Sequence, residues 1–351
     1  MKFDEGGAAP GRVAILDSLR GLAALAVCLY HFAGRDGFLP DGVIPWAARF
    51  GYLGVVSFFV ISGFVIPWVL YRSGYQLRGY GRFLVKRLVR LEPPYLAAVA
   101  ICVALLAAYS WYKGLPFPAD GDYWRRLLLH FGYLVGFTGR EWFDDVYWTL
   151  GIECQYYLLM GLAFPLLVSE RPWLRGGSFG LLAALTLLGP FLPVKTYLVS
   201  YLSVFLLGVA AFQFRAGIQG KRRFLLLIAG LGGLTYFCLG LPIALTAVAT
   251  VCLVGFADFS HPLLDRLGTV SYSLYLFHAS LGGVVINLGI KYTASPAWRY
   301  FVFVLALGVA FLFAWVMYRL IELPARRWAS AIPYRRPAKV VTAAAPAAVH
   351  I

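Results

Sequence analysis

Residues 15–32 read ILDSLRGLAALAVCLYHF. The stretch has the length and apolarity of a membrane helix, which needs ~20 residues to cross ~30 Å of hydrocarbon. It nevertheless carries Asp17, Arg20 and His31. Charged groups at such depth cost about 2.5–3.5 kcal/mol on insertion scales, and by default they point to function. Arg20 and His31 are 11 positions apart. On a helix that is three turns, one face and roughly 16 Å of axis. A cation in one half of the helix and an imidazole in the other suggest a site running through the membrane. The structural alternative is an Asp17–Arg20 pair with a histidine at the lipid boundary.

The rest of the chain is of the same kind. Of 351 residues, 61% are hydrophobic and only 13% charged, against about 25% charged in soluble domains. Apolar spans are expected near 13–33, 50–71, 91–111, 147–168, 178–193, 197–214, 224–240, 241–257, 268–290 and 299–321. The predicted fold is an all-α polytopic membrane helix bundle of about ten transmembrane helices. Residues 122–140 are too short and too interrupted to span, and read as an interfacial or re-entrant helix. Lys and Arg gather in segments sharing one side with the N-terminus, among them Arg82, Lys86, Arg87, Arg90, Lys221, Arg222, Arg223, Arg326 and Arg327. The positive-inside rule then puts both termini in the cytoplasm of a multi-pass inner-membrane protein.

The net charge of +15 fits cytoplasmic loops against anionic lipid. No soluble basic domain is present to carry nucleic-acid binding. The five cysteines fall in apolar segments without metal-ligand spacing, so they read as small core residues and no metal is expected. Residues 1–11 read as a cytoplasmic lead, 12–322 as one transmembrane domain, and 323–351 as a largely disordered cytoplasmic tail.

Three further motifs carry polar chemistry. In FLVKRLVRLEPPYL, Arg87 and Arg90 share a helix face at i, i+3. Two guanidiniums so placed make a fork for phosphate oxygens. Anchoring on anionic lipid is the competing use. Pro93 and Pro94 follow and would set the backbone direction as the span begins. In YWTLGIE, Trp148 reads as an interface anchor and Glu153 as a carboxylate a turn and a half deeper. Glu153 would form a second polar wall, orienting His31 or the acceptor, or would simply bond a neighbouring helix. In SYSLYLFH, Ser271, Tyr275 and His278 fall at i, i+4, i+7, one polar helix face that also serves to join membrane helices. Glu322, in YRLIELP, reads as a structural partner for an arginine.

Taken together, LDSLRGLAALAVCLYHF, GVVSFFVISGFVI, VKRLVRLEPPYL, YWTLGIECQYYLL, SYSLYLFH and YRLIELP resemble the membrane acyltransferase-3 family, in that family's order. The resemblance implies an O-acyltransferase that uses acetyl-CoA or another acyl-CoA from the cytoplasm, with no permanently bound cofactor. The implied acceptor is a hydroxyl of an exported or cell-surface glycan. It also implies His31 as general base and Glu153 beside it as a catalytic residue. Arg20, Arg87 and Arg90 would bind acyl-CoA, with Asp17, Trp148, Ser271, Tyr275 and His278 supporting. Some relatives carry an extra hydrolase-like domain, so a separate periplasmic partner protein is a further expectation. Two alternatives stand beside this one: acylation of a small lipophilic molecule such as a macrolide, and a transporter of lipid-linked or polyketide substrates.

Overall fold

The computed structural model describes residues 13–34, 38–192, 197–292 and 295–334. The lead 1–11 and everything beyond 334 lie outside them. Fourteen α-helices follow in order: α1 Ile15–Leu29, α2 Val43–Ala48, α3 Gly54–Arg72, α4 Tyr80–Lys113, α5 Gly121–His130, α6 Trp148–Leu167, α7 Pro172–Leu185, α8 Leu198–Arg215, α9 Lys221–Leu239, α10 Leu241–Phe256, α11 Pro262–Phe277, α12 Gly283–Gly289, α13 Pro296–Met317 and α14 Leu323–Ala331. No strand occurs among the described residues. Among the described residues, nine helical segments are long and apolar enough to cross a membrane, and α10, at 16 residues, is shorter. The protein is a polytopic membrane helix bundle.

Each helix's position follows from the distribution of its apolar groups. The sequence of α8, LVSYLSVFLLGVAAFQFR, is apolar all round, and α8 is the most buried span, as expected of a central helix. By contrast α9 leaves Leu225, Leu226 and Phe237 exposed, and α13 leaves Val304, Leu305 and Leu312 exposed. In hydrocarbon such side chains face lipid at no cost. Close approach, rather than water exclusion, therefore fixes which helices touch. A methyl group on Gly268 of α11 would run into the Asp17 carbonyl oxygen of α1, and one on Gly21 would run into Leu264 and Gly268. Gly63 and Gly208 hold α3 against α8 in the same manner.

Several boundaries differ from the sequence reading. The helix α4 runs straight through Pro93 and Pro94 and begins at Tyr80, a full three turns before the expected span. Prolines remove two intrahelical N–H donors but need not end a membrane helix whose neighbours re-satisfy the backbone. Just before the two prolines the Tyr272 hydroxyl of α11 donates to the Leu91 carbonyl at 2.9 Å, tying α4 to α11. The ordered body also continues past the expected boundary at 322. There α14 packs on α4, and Lys86 donates to the Ile332 carbonyl at 2.8 Å. The stretch 122–140 forms the short amphipathic α5 followed by turns, as the interfacial reading expects.

Among the described residues, three π-helical turns interrupt the spans, at Tyr30–Gly34, His278–Gly282 and Tyr318–Glu322. Each contains a residue singled out from sequence: His31, His278 and Glu322. Such single turns widen the helix by one residue and are frequent at functional sites.

Candidate active site

Parallel packing of α1 on α11, in which Asp17 meets Gly268 and His31 meets His278, with α3, α4 and α6 beside them, encloses a narrow cavity of about 100 Å³ at the end of the bundle where α1 and α4 begin. Arg20 of α1 and Arg87 and Arg90 of α4 line it. The i, i+3 pair on α4 thus shares one space with the cation of α1. Arg90 lies within electrostatic reach of Arg87, Arg326 and Arg20. Arg87 is 6% exposed, and its Nε has no hydrogen-bond partner among the described residues. Its Nη2 lies 3.4 Å from the Tyr334 hydroxyl, so the residues after α14 form the rim. Glu322 also lines the cavity. Its Oε2 accepts from the Ser273 hydroxyl at 2.6 Å and the Ser273 N–H at 3.2 Å, and its Oε1 is 3.6 Å from Arg326. Bringing several guanidiniums together costs free energy unless an anion joins them. Such a set can bind phosphate oxygens with fork geometry.

Deeper in the same cavity stands Glu153, accepting from Ser62 at 2.6 Å and from Tyr157 at 2.9 Å. Of the two placements open from sequence, the bond to a neighbouring helix is present, through Ser62 of α3. The helix of Glu153, α6, runs antiparallel to α1, so a turn and a half of depth carries it toward the arginines. Ser271 and Tyr275 line the cavity as well. Ser271 is satisfied within its own helix by the Gly268 carbonyl at 2.8 Å. Trp148 sits elsewhere, its ring 5.5 Å from Tyr201 and 6.2 Å from Phe59. Asp17 contributes its carbonyl to the α1–α11 crossing.

The cavity ends at a seam. Thr149 and Tyr275 hydroxyls are 2.8 Å apart, and Tyr275 donates to the Val146 carbonyl at 3.0 Å. Beyond Tyr275 lie the two histidines, neither of which lines the arginine cavity. Their rings meet edge-on at 5.0 Å. His278 is fully buried, with Nδ1 2.9 Å from the Tyr275 carbonyl and 3.1 Å from that of Leu274. Carbonyl oxygens only accept, so Nδ1 carries the hydrogen and Nε2 presents a lone pair. That Nε2 has no partner among the described residues.

One carboxylate at this level escaped the sequence reading. Asp144 precedes the turn Asp145–Tyr147 that starts α6. It accepts from Ser280 at 2.6 Å and from the Val146 N–H at 3.3 Å. Burial pushes its carboxyl above the ordinary aspartate range, while Ser280, the Val146 N–H and the charge of His31 pull it back. Asp144 and His31 therefore sense one another. The signal available in the sequence was the acid pair Asp144-Asp145 directly ahead of Tyr147-Trp148; a carboxylate at the mouth of a span is easily passed over because water can solvate it there.

The family model described as an acyltransferase domain matches residues 13–315. The peptidoglycan O-acetyltransferase OatA of Listeria monocytogenes is 25% identical over 370 aligned positions, covering 89% of this chain and 55% of that protein. Protein 2 in the picA locus of Rhizobium radiobacter is 37% identical over 118 positions, 32% of this chain and 54% of that one. The O-acetyltransferase OatA of Staphylococcus aureus is 28% identical over 163 positions, 44% of this chain and 24% of that one. The chain thus spans about half, or less, of the length of these relatives. No solved structure matches it.

Proposed function

This chain belongs to the membrane acyltransferase-3 family, and from that premise we propose that it moves an acyl group, acetyl in the first instance, from acyl-CoA to a hydroxyl of an exported or cell-surface glycan. The observation that carries the reading is a cavity lined by three arginines from two helices, ending one hydrogen-bonded pair short of the His31 layer. The names of its relatives, peptidoglycan O-acetyltransferase and O-acetyltransferase, support a glycan acceptor.

In this reading the arginine end faces the cytoplasm of an inner membrane, in keeping with the positive-inside rule. The nucleotide phosphates of acyl-CoA rest on Arg87, Arg90 and Arg20, and the pantetheine arm extends past Glu153. Separation of Thr149 from Tyr275 admits the thioester to the histidine layer. An acceptor hydroxyl arriving from the opposite end gives its proton to His31. Its oxygen forms the new bond to the carbonyl carbon while the carbon–sulfur bond breaks. The proton then passes from His31 to the departing thiolate, giving ester and free CoA. Asp144 favours the charged imidazole formed midway, and His278 backs the ring from the other side. Imidazole suits the role because it titrates near neutrality.

The test is transfer by the full chain in lipid vesicles, supplied with radiolabelled acetyl-CoA and uncross-linked glycan strands. The expected result is glycan-dependent release of CoA and label in the glycan. No transfer, with transport of the acceptor across the vesicle wall instead, would replace the enzyme reading with a transporter.

A further inference from the structure

A second cavity, about 410 Å³ in volume, lies at the end of the bundle opposite the arginines, between α5 and the last turns of α4. That size is within the range of about 300–1,000 Å³ usual for small-molecule sites. Its polar lining is Asp120, Asp122, Tyr123 and Arg126. Tyr123 is 5% exposed, and its hydroxyl has no hydrogen-bond partner among the described residues. The Arg126 Nε is likewise buried and unpartnered. Leu106, Pro118 and Phe143 form an apolar wall. The floor is Cys102, whose Sγ is 3.4 Å from the Ser280 hydroxyl and 3.3 Å from that of Tyr147. Since Ser280 donates to Asp144, two side-chain contacts connect this floor to the carboxylate that senses His31.

We propose that this cavity is the acceptor site and that it holds a sugar unit of a glycan, a placement that rests on the O-acyltransferase reading above. The chemistry selects the ligand. Buried, unpartnered donors disfavour a purely apolar guest, because burying them without a partner carries the desolvation cost of the group. One arginine against two carboxylates in the lining disfavours a phosphorylated guest, whereas the other cavity sets three arginines against Glu153 and Glu322, so the CoA donor belongs there. A neutral sugar answers both conditions. Its hydroxyls accept from Arg126 and Tyr123 and donate to Asp120 and Asp122, while its C–H face lies on the apolar wall. The remaining contacts in the lining preorganise it. Asp120 caps α5 by accepting from the Tyr123 N–H at 2.7 Å, and Arg140 pairs with Asp122 at 2.8 Å. The arginine of the site lies over the Phe143 ring, 5.0 Å from its centroid.

The experiment measures binding, so it does not depend on transfer. Full-length protein in lipid nanodiscs is titrated with a soluble N-acetylglucosamine oligosaccharide and, separately, with CoA. Tyr123→Phe deletes one unpartnered oxygen, and Arg126→Gln deletes the unpartnered Nε. Tyr123→Phe is expected to weaken oligosaccharide binding about 3- to 10-fold, the loss of one neutral hydrogen bond, and Arg126→Gln roughly 10- to 150-fold, the loss of a charge-assisted one, with CoA affinity unchanged in both. Equal oligosaccharide affinity in the variants, or no binding by the unmodified chain, overturns the site. Oligosaccharide binding that the variants weaken, without any acetyl transfer, would uphold the site and strike the transfer reading alone.

Discussion

The two ends of the bundle hold opposite chemistry. At one, guanidiniums converge on a narrow cavity, and Glu322 sits 3.6 Å from Arg326. At the other, Asp120 and Asp122 share a wider cavity with Arg126 and with the Tyr123 phenol, which has no hydrogen-bond partner among the described residues. Between them lies a thin layer of His31, His278, Asp144 and Tyr275. The contrast is one of balance: three arginines stand with Glu153 and Glu322 at one end, and one arginine with Asp120 and Asp122 at the other. Groups that would attract a polyanion stand apart from groups that would exchange hydrogen bonds with neutral hydroxyls.

The comparison breaks most readily in the middle layer. His31→Ala is expected to lower turnover about 10²–10⁴-fold, the usual loss for a general base, with acyl-CoA affinity retained in a binding titration. Near-normal transfer would remove His31 from the reaction and leave the two ends without a meeting point. The arginine end answers to Arg87→Ala. Loss of a charge-assisted hydrogen bond, about 1.5–3 kcal/mol, should raise the donor KM roughly 10- to 150-fold. A fall in kcat at unchanged donor KM would show that the cation does not hold phosphate.

A smaller effect is expected at Asp144. Asp144→Asn should lower kcat about tenfold, the low end of what a charged partner contributes. The pH profile gives the sharper test. Burial raises this carboxyl, so its ionised form is lost at a higher pH than that of an exposed aspartate as the medium is acidified. The acid inflection belonging to it should vanish in Asp144→Asn. Its persistence would assign the inflection to another group.

Some of this was legible residue by residue. The fold class follows from spans such as 15–32 and 197–214, because transfer into lipid is priced locally, side chain by side chain. The arginine fork was legible too, since i, i+3 spacing fixes a shared face on any helix. The passage of α4 through Pro93-Pro94 was not. It depends on what surrounds the Val89 and Arg90 carbonyls that the two prolines leave without donors, which is a matter of neighbouring helices. The partners of Glu153 stayed open for a similar reason. Its depth in α6 was readable, but which of the adjoining helices its carboxylate meets, Ser62 on α3 or the histidine layer, was not.

The sequence by itself determined that this chain is a membrane bundle and which few residues carry charge within it. Hydropathy and spacing are properties of one segment at a time, so they suffice for both. Only the tertiary structure decided which charges share a cavity, where the arginine cavity stops, and that His31 and His278 each occupy a π-helical turn. Those outcomes depend on how closely one backbone approaches another, as at Gly268 against Asp17. Such distances are set by the packing of whole helices, and no single segment encodes them.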